Sequence, residues 1–294
     1  EKIEWYLIAV CLGGFFYSCL NYTMYVKYGF HSGNRIWDEF WTHTARYATE
    51  YSYWGVFIAG LLGYGVTCIK EKKWFRGLTI LVFIVIDNYI NIMVDNRMVL
   101  MVTVVVIAVN ILMYVIFHTK EWKKWGLLLI GVAILAAIGC IAVMGNVGGV
   151  RDTTFYRHFF TRNGGILKNI RFRMIWETIP QLPAHWKGGG TIVAAGYSAI
   201  HNYWLQAAND TGIFPFILWM IFNVQVVIDL VKCVVSKKIS QRMKYLIVPL
   251  MVAIVSYLSM EIGGQGKSEY ILFYVMVAAF LRQLVLNQRI TEGL

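Results

Sequence analysis

Charge is scarce in this chain. Only 15% of its 294 residues are charged, whereas 58% are hydrophobic. A water-soluble domain needs more charged surface than this, so soluble enzymes and soluble binding modules are excluded. Apolar runs of about 17–25 residues recur, and each is long enough to cross a hydrocarbon core of roughly 30 Å. Because the runs lack strict alternation, they favour helices over a β-barrel, and the sequence predicts an all-α polytopic integral membrane protein.

Motifs that carry metal or hydrolase chemistry are also missing. No CxxC pair, HExxH helix or GxSxG turn occurs, so a zinc site and a serine-hydrolase elbow are not expected. We interpret the five cysteines as small buried hydrophobic residues; they are Cys11, Cys19, Cys68, Cys140 and Cys233. With four prolines and no internal repeat, residues 1–294 are expected to form a single membrane domain. The first residue is Glu1 rather than Met, which leaves room for N-terminal helices before it.

Eight apolar runs are predicted to span the membrane. They cover 4–26, 51–69, 77–94, 98–117, 126–144, 213–231, 245–260 and 270–286. Lys and Arg concentrate in alternate loops, which are 70–76, 118–125 and 232–244. With Arg282 included, this side and the chain ends carry 15 basic residues, against 5 in the shorter loops opposite. The positive-inside rule then places the long segment 145–212 outside and both chain ends in the cytoplasm.

The outer loop 145–212 is unusually basic. It contains seven basic residues against three acidic ones. The basic residues are Arg151, Arg157, Arg162, Lys168, Arg171, Arg173 and Lys187. Two explanations remain open from charge alone: binding of an anionic ligand such as a phosphate, or contact with anionic lipid headgroups.

The middle of this loop predicts an amphipathic helix at the membrane surface. Asn163 offers a start and Pro180 a stop, while Asn169, Arg173 and Glu177 recur every four residues on one face. The following glycines, 188–190 and Gly196, suit a bending backbone, but a GGG run alone indicates phosphate binding only weakly.

His201 and Asn202 stand a few residues before the next apolar run. A lone histidine is more often a hydrogen-bonding residue than a catalyst, but an imidazole beneath a basic loop can also accept a proton near neutral pH. Asp87 is polar inside the third predicted span, and a transporter would use such an acid. Lining the outer cavity or pairing with an arginine is the other interpretation of Asp87.

The order of short motifs resembles the O-antigen polymerase and O-antigen ligase family of bacterial envelopes. The chain has "DNR" at a span start, R-x-x-W from Arg173 to Trp176, "IPQLPAHWKGGG", and then "IHNYWLQAANDTG" before a span. The resemblance covers roughly 80–285, and order and placement carry it more than any single motif. Asn96 replaces the serine that usually precedes the arginine, and GGG stands in for G-x-G.

This resemblance implies a glycosyltransferase-C-like fold and metal-independent, inverting glycosyl transfer without a cofactor. The donor would be a glycan on undecaprenyl diphosphate at the outer face of the bacterial plasma (inner) membrane. Arg97 and Arg173 would bind the diphosphate, and His201 would deprotonate the acceptor hydroxyl. The other expected substrate-binding residues are Arg171, Asn202, Gly188, Gly190 and Trp176.

Polymerisation of lipid-linked repeat units is therefore the first expected function, with loop 145–212 as its catalytic part. The alternatives are a ligase that transfers the glycan to lipid A core and, from another class, a transporter or flippase of lipid-linked oligosaccharides. A purely structural membrane partner ranks last, because it gives no reason for the arginine-rich loop.

Overall fold

A computed structural model describes residues 2–29, 36–47, 50, 54–94, 96–117, 170–260 and 268–290, and this part of the chain is mainly helical. Its helices are α1 (Lys2–Tyr28), α2 (Gly55–Ala59), α3 (Leu62–Lys70), α4 (Trp74–Met93), α5 (Arg97–Phe117), α6 (Ile170–Thr178), α7 (Tyr203–Thr211), α8 (Ile213–Val235), α9 (Gln241–Leu258) and α10 (Ser268–Ile290). The strands β1 (Ile36–Asp38) and β2 (Ala45–Tyr47) form a small antiparallel hairpin within the segment predicted as a loop.

Six of these helices are long and apolar enough to cross a membrane. They are α1, α4, α5, α8, α9 and α10. Each coincides with a predicted span, so the membrane class is confirmed for these six. The predicted span 126–144 lies outside the described residues, as does the part of the outer loop between 145 and 169.

The predicted span at 51–69 differs in the structure. The chain there forms the two short helices α2 and α3, with a break at Gly60 and Leu61. Close packing accounts for the glycines: a Cβ on Gly60 would lie 2.8 Å from the Leu250 Cα, and one on Gly63 would lie 1.9 Å from the Asn110 Oδ1. Small residues allow such close approach of helices in a bilayer. This segment packs closely against α5 and α9, it forms an apolar helical stretch from Gly55 to Lys70, and its crossing of the membrane stays a prediction.

One end of the bundle carries a network of charged side chains. The Glu4 carboxylate, in the first turn of α1, accepts hydrogen bonds from the Tyr64 hydroxyl (2.5 Å) and from Arg242 Nη2 (3.1 Å). Arg242, in the first turn of α9, also donates to Glu71 (3.0 Å), and Arg76 donates to the Tyr64 hydroxyl (3.1 Å). We call these five residues the basic-end network. It ties the starts of α1, α4 and α9 to the end of α3.

The opposite end of the bundle carries the segment 170–212. Phe117, at the end of α5, packs on Tyr245 near the basic end, with ring centroids 5.7 Å apart. Since Tyr245 lies in the second turn of α9, α5 and α9 are antiparallel, and α9 ends where α5 begins. There the Asn202 amide donates to the Ser259 carbonyl (2.9 Å), which attaches 170–212 to the end of α9. The basic-end network and the segment 170–212 thus lie at opposite ends of the bundle, as the predicted alternation of loops requires.

Helices α8 and α10 run parallel to each other. Arg282, near the end of α10, donates to both carboxylate oxygens of Asp229 at 3.0 and 3.2 Å. Nearer the opposite end, the Tyr274 hydroxyl donates to Asn223 Oδ1 (2.5 Å). Asp229 is only 2% exposed, whereas the Arg282 side chain that pairs with it is 41% exposed.

Candidate functional site

Helix α6 is the first described part of the candidate site, and it fits the predicted amphipathic helix. Met174 and Thr178 are buried, whereas Arg173 and Trp176 are exposed. The helix passes at Pro180 into a short 3₁₀ turn, as the predicted stop requires. The expected start at Asn163 lies outside the described residues.

A small apolar core joins α6 to the turn that precedes α7. Met174 of α6 packs in one cluster with Ile192, Ala194, Ile200 and Leu205. Met174 follows Arg173 in the chain, and Ile200 precedes His201. The cluster thus brings together the two backbone segments that carry the predicted arginine and the predicted base.

Glycines close the loop tightly on the end of α7. Gly188 (φ +79°) and Gly212 (φ +88°) adopt backbone conformations that L side chains rarely enter. A Cβ on Gly188 would lie 2.4 Å from the Gly212 nitrogen. The N–H groups of Gly188, Gly189 and Gly190 donate to the carbonyls of His185, Asp210 and Asn209 at 2.9–3.0 Å.

That arrangement bears directly on Gly188 and Gly190, which the sequence predicts as substrate-binding. Their N–H groups already have protein acceptors, so a phosphate cradle of backbone N–H groups does not form in this conformation. The geometry gives Gly188 a role in close backbone packing, whereas Gly190, at which a Cβ would lie 3.6 Å from Asp210 Oδ1, supplies a positive φ of +69°. Binding through other atoms of this turn stays a prediction.

Polar side chains of α7 hold the loop in place, which the sequence reasoning missed. Asn209 Oδ1 accepts from the Ile192 N–H (3.0 Å), and Gln206 Oε1 accepts from the Ile200 N–H (2.7 Å). Gln206 also donates to Asp210 (2.7 Å). Spacing could have found Gln206 and Asp210, because 202, 206 and 210 recur every four residues on one helix face, whereas Asn209 lies outside this series.

Asn202 caps α7. Its Oδ1 accepts from the Leu205 N–H (3.0 Å), which satisfies a free donor at the helix start, as asparagine commonly does at this position. Its Nδ2 donates to the Ser259 carbonyl, and Trp204 Nε1 donates to the Ser259 hydroxyl (3.0 Å). Both ends of the Asn202 amide therefore have structural partners, and substrate binding by Asn202 stays a prediction.

His201 lies between two constrained neighbours. Ile200 is fully buried and Asn202 is 9% exposed, while His201 itself is half-buried. Since the residues on both sides are fixed by the apolar cluster and by the cap, the backbone at His201 is held firmly. Its side chain retains partial access to solvent, which a proton acceptor for an incoming hydroxyl needs.

Arg173 is the most accessible of the predicted arginines that the structure describes. Its side chain is 66% exposed, and its Nε donates to Glu177 Oε1 one turn along α6 (2.5 Å). The other Glu177 oxygen accepts from the Ala195 N–H (2.5 Å). The hydrogen bonds from Arg173 and from Ala195 lower the pKa of the Glu177 carboxyl. Arg171 is half-buried, and Trp176 is 72% exposed.

Arg97 begins α5, and its side chain lies outside the described part of the chain. Its neighbour Asn96 is 2% exposed and accepts a hydrogen bond from the Met98 N–H (3.1 Å) at the start of α5. Serine and asparagine are both good residues at a helix start, so the departure from the serine pattern preserves this role. The start of α5 lies at the same end of the bundle as α7.

An aromatic cluster lies beneath α7. Trp219 and Phe222 of α8 are stacked with centroids 5.2 Å apart, and Trp204 lies 6.0 Å from both Trp219 and Tyr274. Tyr203 joins the cluster, and burial, aided by the charge of Asp210, raises the pKa of its hydroxyl. These rings anchor α7 to the membrane helices α8 and α10.

Within the described ranges, no group of three or more His, Cys, Asp or Glu side chains could hold a metal ion. Comparison of the chain with protein-family models, with curated proteins and with solved structures finds no match.

Proposed function

We propose that this protein polymerises glycan repeat units that are carried on undecaprenyl diphosphate, by metal-independent glycosyl transfer at the outer face of the bacterial inner membrane. The observation that supports it is the joint packing of α6 and the 200–202 turn around Met174. This packing puts an exposed arginine and a half-buried histidine on neighbouring segments at one end of a membrane bundle. Donor and acceptor lipids would both present their polar groups at such an end.

The chemistry needs two functions that these residues can supply. The acceptor hydroxyl oxygen attacks the anomeric carbon while the bond from that carbon to the diphosphate oxygen breaks, with inversion. His201 takes the hydroxyl proton, and the bonding electron pair leaves with the undecaprenyl diphosphate. Arg173 and Arg97 stabilise the negative charge that grows on the leaving diphosphate, since a guanidinium binds two phosphate oxygens at once.

The proposed orientation puts segment 170–212 outside the cell and the basic-end network in the cytoplasm. Support comes from the concentration of Lys and Arg at the basic end. A test is single-cysteine labelling at Lys187 in a background without native cysteines. An impermeant reagent should label intact cells, whereas labelling only after lysis would reverse the orientation. A glycosyltransferase-C-like arrangement of the helices is part of the same proposal.

The ligase alternative uses the same residues with another acceptor. Glycan profiling of a deletion strain separates the two activities. Loss of long chains with single repeat units retained supports the polymerase. Long chains that remain unattached to lipid A core support the ligase, and unchanged glycans contradict both.

A transporter is the second candidate because of one buried acid. Asp87 is fully buried in α4, its Oδ1 has no hydrogen-bond partner in the described part of the chain, and its carboxylate lies against Gly55. Among the described residues, the Asn91 amide donates to the Asp87 Oδ2 at 3.1 Å. Ionisable groups inside membranes often mark transport pathways. Flipping of a lipid-linked oligosaccharide in proteoliposomes that Asp87→Asn abolishes would favour this function over glycosyl transfer.

A further inference from the structure

The guanidinium of Arg173 is held along one edge. Its Nε–H donates to Glu177, and no other described residue bonds its Nη1 or Nη2 atoms. A guanidinium has five N–H donors, and the edge formed by Nη1 and Nη2 can bind two phosphate oxygens in parallel. Because the side chain is 66% exposed, this second edge is accessible to a ligand.

The same Glu177 carboxylate also holds the turn that leads to His201. Its Oε2 accepts from the Ala195 N–H, and Ala195 has a φ of +53°, which a residue with a Cβ rarely adopts. Gln181 adds a second connection, because its amide donates to the Glu177 carbonyl (2.7 Å) and to the Val193 carbonyl (3.3 Å). One carboxylate therefore joins the predicted phosphate-binding arginine to the segment of the predicted base.

We propose that Glu177 is a positioning residue that orients Arg173 so that its Nη edge meets the diphosphate, in register with His201. This inference rests on the proposed function. The negative charge of Glu177 makes this inference testable, because a carboxylate beside an anion site repels the anion. If Arg173 acted only as a diffuse positive charge, the presence of Glu177 would weaken binding. If orientation dominates, Glu177 strengthens binding despite its own charge.

The two roles predict opposite changes in donor binding when the charge of Glu177 is removed, and a substitution can therefore separate them. Glu177→Gln retains one acceptor oxygen, which cannot serve both the Arg173 Nε–H and the Ala195 N–H. We expect the KM for the lipid diphosphate donor to rise about 10-fold, the size of one lost charge-assisted hydrogen bond, with a smaller change in kcat. Inhibition by inorganic pyrophosphate should weaken by a similar factor.

The matched control is Asp210→Asn. It removes one negative charge from the same loop, and its amide oxygen can still accept from Gln206. We expect its KM to stay equal to that of the wild type or to fall slightly. Glu177→Asp is the second variant, because it keeps the charge but is one methylene shorter. It should accumulate in the membrane and show the same loss of pyrophosphate binding.

Two outcomes overturn the proposal. The first outcome is that Glu177→Gln or Glu177→Asp accumulates in the membrane and has the same donor KM and the same pyrophosphate inhibition as the wild type. In the other, Glu177→Gln binds pyrophosphate more tightly, as simple charge removal predicts. Failure of the proposed function looks different: the wild-type protein itself would then show no turnover of the lipid diphosphate donor. If Arg173→Lys is inactive while Glu177→Gln has wild-type KM and turnover, only the positioning role of Glu177 is contradicted.

Discussion

The two ends of the bundle hold arginine in opposite ways. At the basic end, the Arg242 side chain is 22% exposed and divides its guanidinium between Glu4 and Glu71. Hydrogen bonds from Lys73 and Arg242 lower the pKa of Glu71, so the Glu71 carboxylate stays ionised at neutral pH. At the opposite end, Arg173 is 66% exposed and has one acidic partner on its own helix.

This difference separates structural charge from charge that is free to bind a ligand. A buried ion pair is costly to break, because removing one partner leaves the other without compensation. An exposed pair within one helix contributes little to stability, so its presence needs another reason. We therefore expect substitutions at the basic end to change stability and substitutions at the opposite end to change turnover.

The largest expected effect is on the chemical step. His201→Ala should lower the turnover rate about 100- to 10,000-fold, since general-base loss typically costs this much. Membrane levels should stay near normal. His185→Ala is the control in the same loop; His185 bonds Thr191 (2.7 Å) and should be dispensable for turnover. An active His201→Gln protein would contradict the general-base role, because glutamine forms hydrogen bonds but does not accept a proton near neutral pH.

The next effect concerns the exposed arginines. Arg173→Lys and Arg97→Lys should each lower kcat/KM about 10- to 100-fold, because lysine keeps the charge but loses the bidentate edge. Assays with the lipid-linked donor in detergent micelles measure this. If both variants turn over donor at the wild-type rate, the arginines make no specific diphosphate contact, and general attraction to anionic lipid is the role that remains for them.

At the basic end, we expect substitutions to change the stability of the protein rather than its turnover. Arg242→Met should lower the free energy of unfolding by about 3 kcal/mol, since it removes a partner from the buried Glu4 carboxylate. Thermal unfolding in detergent measures the loss, and the double variant with Glu4→Gln should recover part of it. If Arg242→Met instead lowers kcat and leaves the free energy of unfolding unchanged, the proposed contrast between a structural basic end and a functional opposite end is wrong.

The tight loop gives a smaller effect. Gly188→Ala should destabilise segment 182–212 by more than Gly196→Ala, as measured by limited proteolysis. Both glycines have positive φ, so both variants carry about 1–2 kcal/mol of backbone strain. Only Gly188 also lacks space for a Cβ, because nothing lies within 4 Å of a Cβ at Gly196. Equal sensitivity of the two variants would show that backbone strain alone matters.

The smallest effect is expected at Asn202. Asn202→Ala removes the cap of α7, which typically costs about 1 kcal/mol, and the bond to Ser259. Turnover should fall less than in His201→Ala. Asn202→Ser restores the cap but not the Ser259 bond, so the melting temperatures of the two variants separate these contributions. A loss of turnover in Asn202→Ala as large as in His201→Ala would assign Asn202 a direct part in the chemistry.

Much of the membrane architecture can be predicted from the sequence, because a long apolar run has few alternatives in lipid. The break at Gly60 is different. The run 51–69 has no charged residue, and the close approach of Gly60 to Leu250, which is distant in the sequence, is a tertiary contact. No local pattern contains that information.

The candidate site divides in the same way. The pairing of Arg173 with Glu177 follows from four-residue spacing on one helix, and the stop at Pro180 follows from its ring. The engagement of the Gly188 and Gly190 N–H groups depends on how the loop folds onto α7, which spacing does not reveal. Tertiary contacts therefore decide which predicted binding atoms are available.

The parallel pair of α8 and α10 has a consequence for biogenesis. Asp229 leaves the ribosome some fifty residues before Arg282, so its carboxylate enters the bilayer without the partner that later neutralises it. We expect the apolar residues of α8 to insert this helix first, and Asp229 to gain its neutralising partner only after α10 has been synthesised. A chain truncated before Arg282 would lack this partner of Asp229, and we expect it to be less stable in the membrane than the chain that contains Arg282.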